Sequence, residues 1–345
     1  MTATLEPSTA ETNRDDFAEL SRRVRETGLL GRRRTYYWVK ITTTVGALIG
    51  FGIAAVVIGD SWWNLAVAVG VAFVLTQLGF IGHDAGHRQI FVRQQHNAVV
   101  GLVMINLLTG FSFGWWLHKH NRHHAHTNRP DKDPDTAPGA LVYEPSQVEG
   151  RGRVGRVYAS IQVVLLIPLL FLEALNLHIS SAASLIRRHD RGALLEAGLL
   201  AVHAAVFFVA PFLLLSPLRA VVFIVLTQCL LGFYLGVTFI TNHVGMPMLG
   251  GPDELGFLRR QVITSRNLSG RSFTGFIFGG LDTQIEHHLF PTMPRANLRR
   301  ARALVRPFCD ERQIAYVEQS PWGAYRAVLR HLHAAGSGRM TPVVR

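Results

Sequence analysis

Hydrophobic positions along this chain fall into long uninterrupted runs with basic clusters at their flanks. Residues 41–58, 62–81, 98–117, 197–218 and 220–242 carry no Asp, Glu, Lys or Arg. Each approaches the roughly 20 apolar residues that a helix needs to cross about 30 Å of hydrocarbon. A sixth run, 157–172, is shorter, contains Pro168 and ends before Glu173, the pattern of a helix lying in the membrane interface. The runs predict an all-α integral membrane protein. A polar and basic N-terminal tail over residues 1–40, a membrane domain over 41–297 and a basic helical C-terminal tail over 298–345 complete the expected organisation.

Composition agrees. Only 17% of the 345 residues are charged, against about 25% in soluble domains. The net charge of +12 does not signal nucleic acid. Arg32, Arg33 and Arg34 precede the first run, and Arg299, Arg300 and Arg302 follow the last, as in cytoplasmic flanks that face anionic lipid. The first thirty residues lack the apolar core of a signal peptide and read as a mobile tail. With two separated cysteines, Cys229 and Cys309, neither a disulfide framework nor a thiolate metal site is expected.

Histidine changes the picture. The chain has 16, and seven of them sit in three short motifs: HDAGH (His83, His87), HNRHH (His120, His123, His124) and QIEHH (His287, His288). Residues three and four apart share one helix face, so each motif aims its imidazoles at one point. Imidazole suits iron, zinc, copper and nickel. Seven ligands overfill one four-coordinate site, which points to two metal ions.

These motifs, in this order and separated by apolar runs, resemble the three histidine boxes of the integral-membrane fatty acid desaturases. The glutamine opening QIEHH is similar to that of the front-end, linoleoyl-CoA-type subgroup. The resemblance implies two non-haem iron ions that activate dioxygen to place a cis double bond in a fatty acyl chain, carried as acyl-CoA or acyl-lipid, with Δ6-like front-end regioselectivity. It also implies one further ligand between the last run and the third box, a position filled by His243. Asn242 and Gln284 are candidates to hold a metal-bound water or a weak ligand position. Asp84 and Glu286, inside boxes one and three, are candidate hydrogen-bond partners of the ligands. Trp115 and Trp116 are candidates for the wall of an acyl tunnel, and no catalytic residue is expected beyond the ligands.

All boxes must meet on one side of the membrane, which constrains the topology. The basic segment up to Lys40 puts the N-terminus in the cytoplasm by the positive-inside rule, and the uncharged-to-acidic turn Gly59, Asp60 and Ser61 reads as the outer side. If 98–117 crossed the membrane, HNRHH would emerge opposite HDAGH. That run, interrupted by Asn106, Gly110, Ser112 and Gly114, is therefore expected to be re-entrant or to lie on the surface. Four transmembrane helices and a cytoplasmic helical cap holding the di-iron site result, in a multi-pass plasma-membrane protein. Asp131, Asp133 and Asp135, spaced by Pro134 after Pro130, read as a solvated turn, with a cationic partner surface or a hydrogen bond to a ligand histidine as the alternatives.

The resemblance implies external electrons. No haem motif, iron–sulfur cysteine set or nucleotide fingerprint is visible, so a separate donor such as ferredoxin with its reductase is expected. Arg259, Arg260, Arg266, Arg299 and Arg300 are the candidate docking charges. Two other readings remain at this stage. An acyl or lipid hydroxylase would use the same irons. An intramembrane zinc metalloprotease is suggested by the H-E-x-x-H-like spacing of HDAGH, with Asp84 in place of the glutamate base. A metal transporter would set its ligands within the spans instead.

Overall fold

The computed structural model describes residues 9–250 and 255–338. Its main helices are α1 (Thr9–Glu26), α2 (Arg34–Ile58), α3 (Asn64–Gly86), α4 (Gln94–Thr109), α5 (Phe113–His126), α6 (Arg153–Ser160), α7 (Gln162–Phe171), α8 (Glu173–Arg187), α9 (Arg191–Leu214), α10 (Pro217–His243), α11 (Gly256–Ile263), α12 (Gln284–Leu289), α13 (Arg295–Glu311) and α14 (Pro321–Gly336). A two-stranded parallel sheet pairs β1 (Asn267–Leu268) with β2 (Glu318–Gln319).

The chain divides into two compact units. The membrane unit comprises Arg32–His120 and Val164–Phe239. Four of its helices, α2, α3, α9 and α10, are long and apolar enough to span a bilayer, although the last few residues of α10 belong to the other unit. The 98–117 run does not form a fifth straight span. It breaks between α4 and α5, which meet at 113°. The final turns of α4 widen into a π-helix over Leu102–Thr109, and Gly110 takes the left-handed conformation, φ +92°, that turns the chain. The 157–172 run is bent as well, by 83° between α6 and α7.

Burial explains the arrangement. α3 is sheathed on most sides, with Leu75, Leu78 and Ile81 fully buried against Ile105 and Leu231. α2 covers one flank of that core and leaves Ile49, Ile53, Val56 and Val57 at 58–79% exposure, an apolar face suited to lipid. The α2–α3 and α9–α10 turns meet. Asp60 accepts from the Ser216 amide at 2.8 Å and from Arg219 Nη1 at 2.7 Å, and these two donors hold its carboxyl below the usual range. Both hairpins therefore turn at the same level.

The second unit takes in the described residues up to Gly31, Asn121–Val163 and those from Ile240 onward. The N-terminal segment read as a mobile tail forms α1 here. Leu20 and Val24 are fully buried with Leu258, Val262, Ile285 and Phe308. Arg312 ties α1 to the end of α13 through Asp16 and Glu19 at 2.7 and 2.6 Å. α14 begins with Ser320 capping the Gly323 amide and with Pro321 in its first turn.

Gly232 on α10 lets the α7–α8 junction approach: an added Cβ would lie 2.7 Å from the Ala174 nitrogen and 3.0 Å from the Leu170 carbonyl oxygen. Gly232→Val is expected to destabilise the protein by about 1–3 kcal/mol, the usual range for overpacking. Gly46→Ala on α2, which meets nothing within 4 Å, is expected to be harmless. Thermal unfolding in detergent measures both, and an unchanged midpoint for Gly232→Val would contradict the close approach.

Candidate metal centre

Each histidine motif falls at a helix end, where backbone geometry and burial set its direction. HDAGH closes α3, so His83 lies in the last helical turn and His87 caps it. Both are buried. α5, reached through the bend at Gly110, brings His120 to them within the membrane unit. The ring centroids of His83, His87 and His120 are 4.7, 5.0 and 4.9 Å apart, and His120 Nε2 lies 2.9 Å from His87 Nε2. Trp116, one turn before His120, stacks on its ring at 4.7 Å and meets His83 edge-on at 5.6 Å. Trp115 is engaged differently, through its amide on Ser112 Oγ at 3.1 Å. Asp84 lies beside the first ligand, with His83 Nδ1 3.4 Å from Oδ1, and accepts from the Tyr37 hydroxyl at 3.0 Å on Oδ2.

The second unit holds the other histidines. His123 and His124 continue α5, His243 closes α10, and His287 and His288 lie on α12. The ligating nitrogens of His123, His243 and His288 lie within 4.8 Å of one another. Each of these rings has an oxygen on Nδ1: an Asp133 carboxylate oxygen at 3.0 Å for His123, the Thr264 carbonyl at 3.0 Å for His243 and Gln261 Oε1 at 2.9 Å for His288. An acceptor on Nδ1 places the proton there and leaves the Nε2 lone pair free to ligate. Consistent with that, His123 Nε2 and His243 Nε2 approach to 3.4 Å. His124 stacks on His288 at 4.1 Å and lies 4.9 Å from His287. A neutral all-imidazole set with fixed tautomers fits a divalent transition metal such as iron.

Gln284 and Asn242 are both brought in. Gln284 Nε2 lies 2.9 Å from His243 Nε2, and Asn242 Nδ2 donates to Gln284 Oε1 at 3.2 Å. Glu286 takes another part. Fully buried, it accepts from Tyr316 Oη at 2.6 Å and Asn267 Nδ2 at 2.7 Å, and so anchors α12 to the β1–β2 layer instead of holding a ring nitrogen. Burial raises its carboxyl above the ordinary value, against the pull of those two donors.

Asp133 is not the solvated residue that its turn suggested. It is 1% exposed, and its carboxylate also accepts from the amides of Asn128 at 2.8 Å and Asp135 at 2.9 Å. Asn128, at φ +54°, turns the chain after α5 so that Asp133 returns to His123. The spacing of prolines and acids in 130–135 was the signal for that return. Gln261 had no such signal. Arg266 is also misread as a docking charge: it is buried, donates to Gln319 and to the Val244 carbonyl, and burial pushes its pKa down to about 10.

Four helices apolar and long enough to span a bilayer, with histidines gathered at helix ends in groups that could hold a metal ion, define a membrane-embedded protein of the histidine-box kind. The family model described as "Fatty acid desaturase" matches residues 60–320, and the chain belongs to that family. Among its relatives are an acyl-lipid (9-3)-desaturase of Physcomitrium patens, 31% identical over 88% of this chain and 59% of its own length. A Delta(6)-fatty-acid desaturase of Caenorhabditis elegans is 28% identical over 92% of this chain and 74% of its own length. A Delta(8)-fatty-acid desaturase of Euglena gracilis is 30% identical over 92% and 78%. The chain thus spans well under two thirds of the moss protein.

If Asp133 fixes the His123 tautomer, Asp133→Ala is expected to weaken metal binding about 10- to 100-fold. Asp131→Ala, at an exposed neighbour, is expected to leave it unchanged. Titration of purified apoprotein with Fe(II) or Co(II) reads both; equal affinities would remove Asp133 from the site.

Proposed function

We propose that the protein is an oxygen-dependent fatty acyl desaturase that converts two adjacent methylenes into a cis double bond. The observation that carries this is the anchored trio His123, His243 and His288 in one unit, together with the His83, His87 and His120 group within the other, in a chain of the desaturase family. In this reading two non-haem irons are held, one chiefly by each group, with His124 and His287 completing the ligand set. Asn242 and Gln284 hold a water or a weak ligand position. When bound, the irons supply the activation of dioxygen. Overall, one dioxygen, two electrons and two protons take two hydrogens from the acyl chain and leave as two waters.

The chain's own residues perform the rest. Asp133, Thr264 and Gln261 hold the Nδ1 protons of their histidines, which keeps three neutral imidazoles in the ligating tautomer. Trp116 covers one side of His83 and His120 and excludes water there, the environment in which a reactive oxidant spares its surroundings. Trp115 and Trp116 border the acyl path. The substrate is an acyl-CoA or an acyl-lipid, and the relatives named for Delta(6) and Delta(8) positions favour attack on the carboxyl side of the chain. The basic segment before α2 supports a cytoplasmic position for the histidine ends in this reading, in a plasma-membrane protein. Electrons come from a separate protein of the ferredoxin type. The exposed Arg300, with the half-buried Arg259 and Arg260, supports docking of an acidic donor.

Purified enzyme with acyl substrate and dioxygen alone is expected to be inactive, and ferredoxin with its reductase is expected to restore a product two mass units lighter. A gain of one oxygen would identify a hydroxylase instead. Turnover with nicotinamide cofactor and no added protein would refute the separate donor. Single replacement of His83, His123 or His288 by alanine is expected to abolish the product while the protein stays in the membrane. Near-normal activity in any of the three removes that residue from the ligand set.

A further inference from the structure

One carboxylate lies inside a membrane-spanning helix and takes no part in the histidine groups. Glu196, in the second turn of α9, is 4% exposed. An ionisable group at such a position is costly and is retained for a reason. Its partners show what it does. Oε2 accepts from Ser112 Oγ at 2.6 Å, from the Gly114 amide at 3.1 Å and from Asn106 Nδ2 at 3.3 Å, while Oε1 accepts from Arg188 Nη1 at 2.8 Å. Three of those donors belong to the bend between α4 and α5.

The first amides of a helix have no partner within it. In α5 they are all supplied from this one cluster. Phe113 donates to Asn106 Oδ1 at 3.1 Å, Gly114 to Glu196 and Trp115 to Ser112 Oγ at 3.1 Å. A negative charge at a helix N-terminus is also favourable to the helix dipole, and a charged acceptor makes the stronger hydrogen bond. The fit is close. An added Cβ on Gly114 would lie 2.5 Å from Glu196 Oε1 and 2.8 Å from Arg188 Nη1.

A second residue on the same face of α9, two turns on, grips the other side of the bend. His203 Nδ1 lies 3.1 Å from the Leu107 carbonyl oxygen, and its ring fills the space where a Gly110 Cβ would stand, at 2.3 Å. α9 therefore holds the last turn of α4 and the first turn of α5 together. Within two helical turns of that clamp, on the same helix, α5 presents Trp116 and then His120 to His83 and His87.

We propose that Glu196 is a positioning residue for the metal centre: its carboxylate clamps the N-terminus of α5 from a neighbouring span and so fixes where that helix delivers His120. The proposal rests on the reading of His120 as an iron ligand. Misplacing a ligand helix lowers turnover, and because Trp115 and Trp116 ride on the clamped turn it also disturbs the acyl path.

The test compares Glu196→Ala and Glu196→Gln in the full-length protein held in lipid nanodiscs. Glu196→Ala is expected to speed hydrogen exchange of the Gly114–Leu117 amides about tenfold or more, to reduce bound iron, and to lower kcat about tenfold. Glu196→Gln keeps an acceptor oxygen for the bend and is expected to recover most of the exchange protection and iron. Should Glu196→Ala not accumulate, Gly114→Ala, which leaves α9 intact and displaces the carboxylate, is expected to give the same exchange pattern. Unchanged exchange in α5, or unchanged kcat in the iron-replete Glu196→Ala protein, overturns the clamp. A wild-type protein that binds no iron and forms no double bond removes the desaturase reading instead, and the exchange comparison still decides the clamp.

Discussion

An imidazole ligates a metal through one nitrogen only while its proton resides on the other, and the second unit is organised around that requirement. His123, His243 and His288 each have an oxygen on Nδ1, and the three oxygens come from three kinds of acceptor: a carboxylate, a backbone carbonyl and a side-chain amide. To supply them the chain must fold back after α5, end α10 beside the loop before β1, and set α11 against α12. The left-handed Asn128 and the buried Asp133 serve the first of these demands. Glu286, bound to Tyr316 and Asn267, serves the last by fixing α12 to the small sheet.

The membrane unit answers a different constraint. Backbone amides within a bilayer must be satisfied by the protein, so a segment that enters and turns back is tolerated only where its ends are capped. The bend between α4 and α5 meets this with Asn106, Ser112 and Glu196. Without that cluster the first amides of α5 would lack acceptors, and the bend that brings α5 to α3 would lose its anchor. The bridge from Asp60 to Ser216 and Arg219 fixes the level of both hairpin turns. α3 and α10 start from that level, and each carries a candidate ligand histidine, His83 or His243, at its far end.

Much of this was legible in the sequence because it is written in local spacing. Helical periodicity within HDAGH, HNRHH and QIEHH announced converging imidazoles. The parity argument, that all boxes share one side, indicated that 98–117 is no straight span, and the structure bends there by 113°. Features set by chain return were harder to see. Asp133 lies ten residues beyond His123 and looks like part of a solvated turn until the backbone reverses at Asn128. Glu196 stood just outside the uncharged run that began at residue 197, so its burial was invisible to a scan for charge. α1 was masked by polar composition, which hid inward positions such as Leu20 and Val24.

The spans are longer than the hydrocarbon they cross. α3 has 23 residues and α10 has 27, about 35 and 40 Å at 1.5 Å per residue, against a core of about 30 Å. The surplus of one to two turns must protrude or be absorbed by tilt. Because His83 and His243 occupy the final turns of these two helices, that surplus is the stem on which they stand. Bilayer thickness thus becomes a mechanical input to the protein: a thicker leaflet draws the stems toward the acyl chains, and a thinner one lifts them into the headgroups.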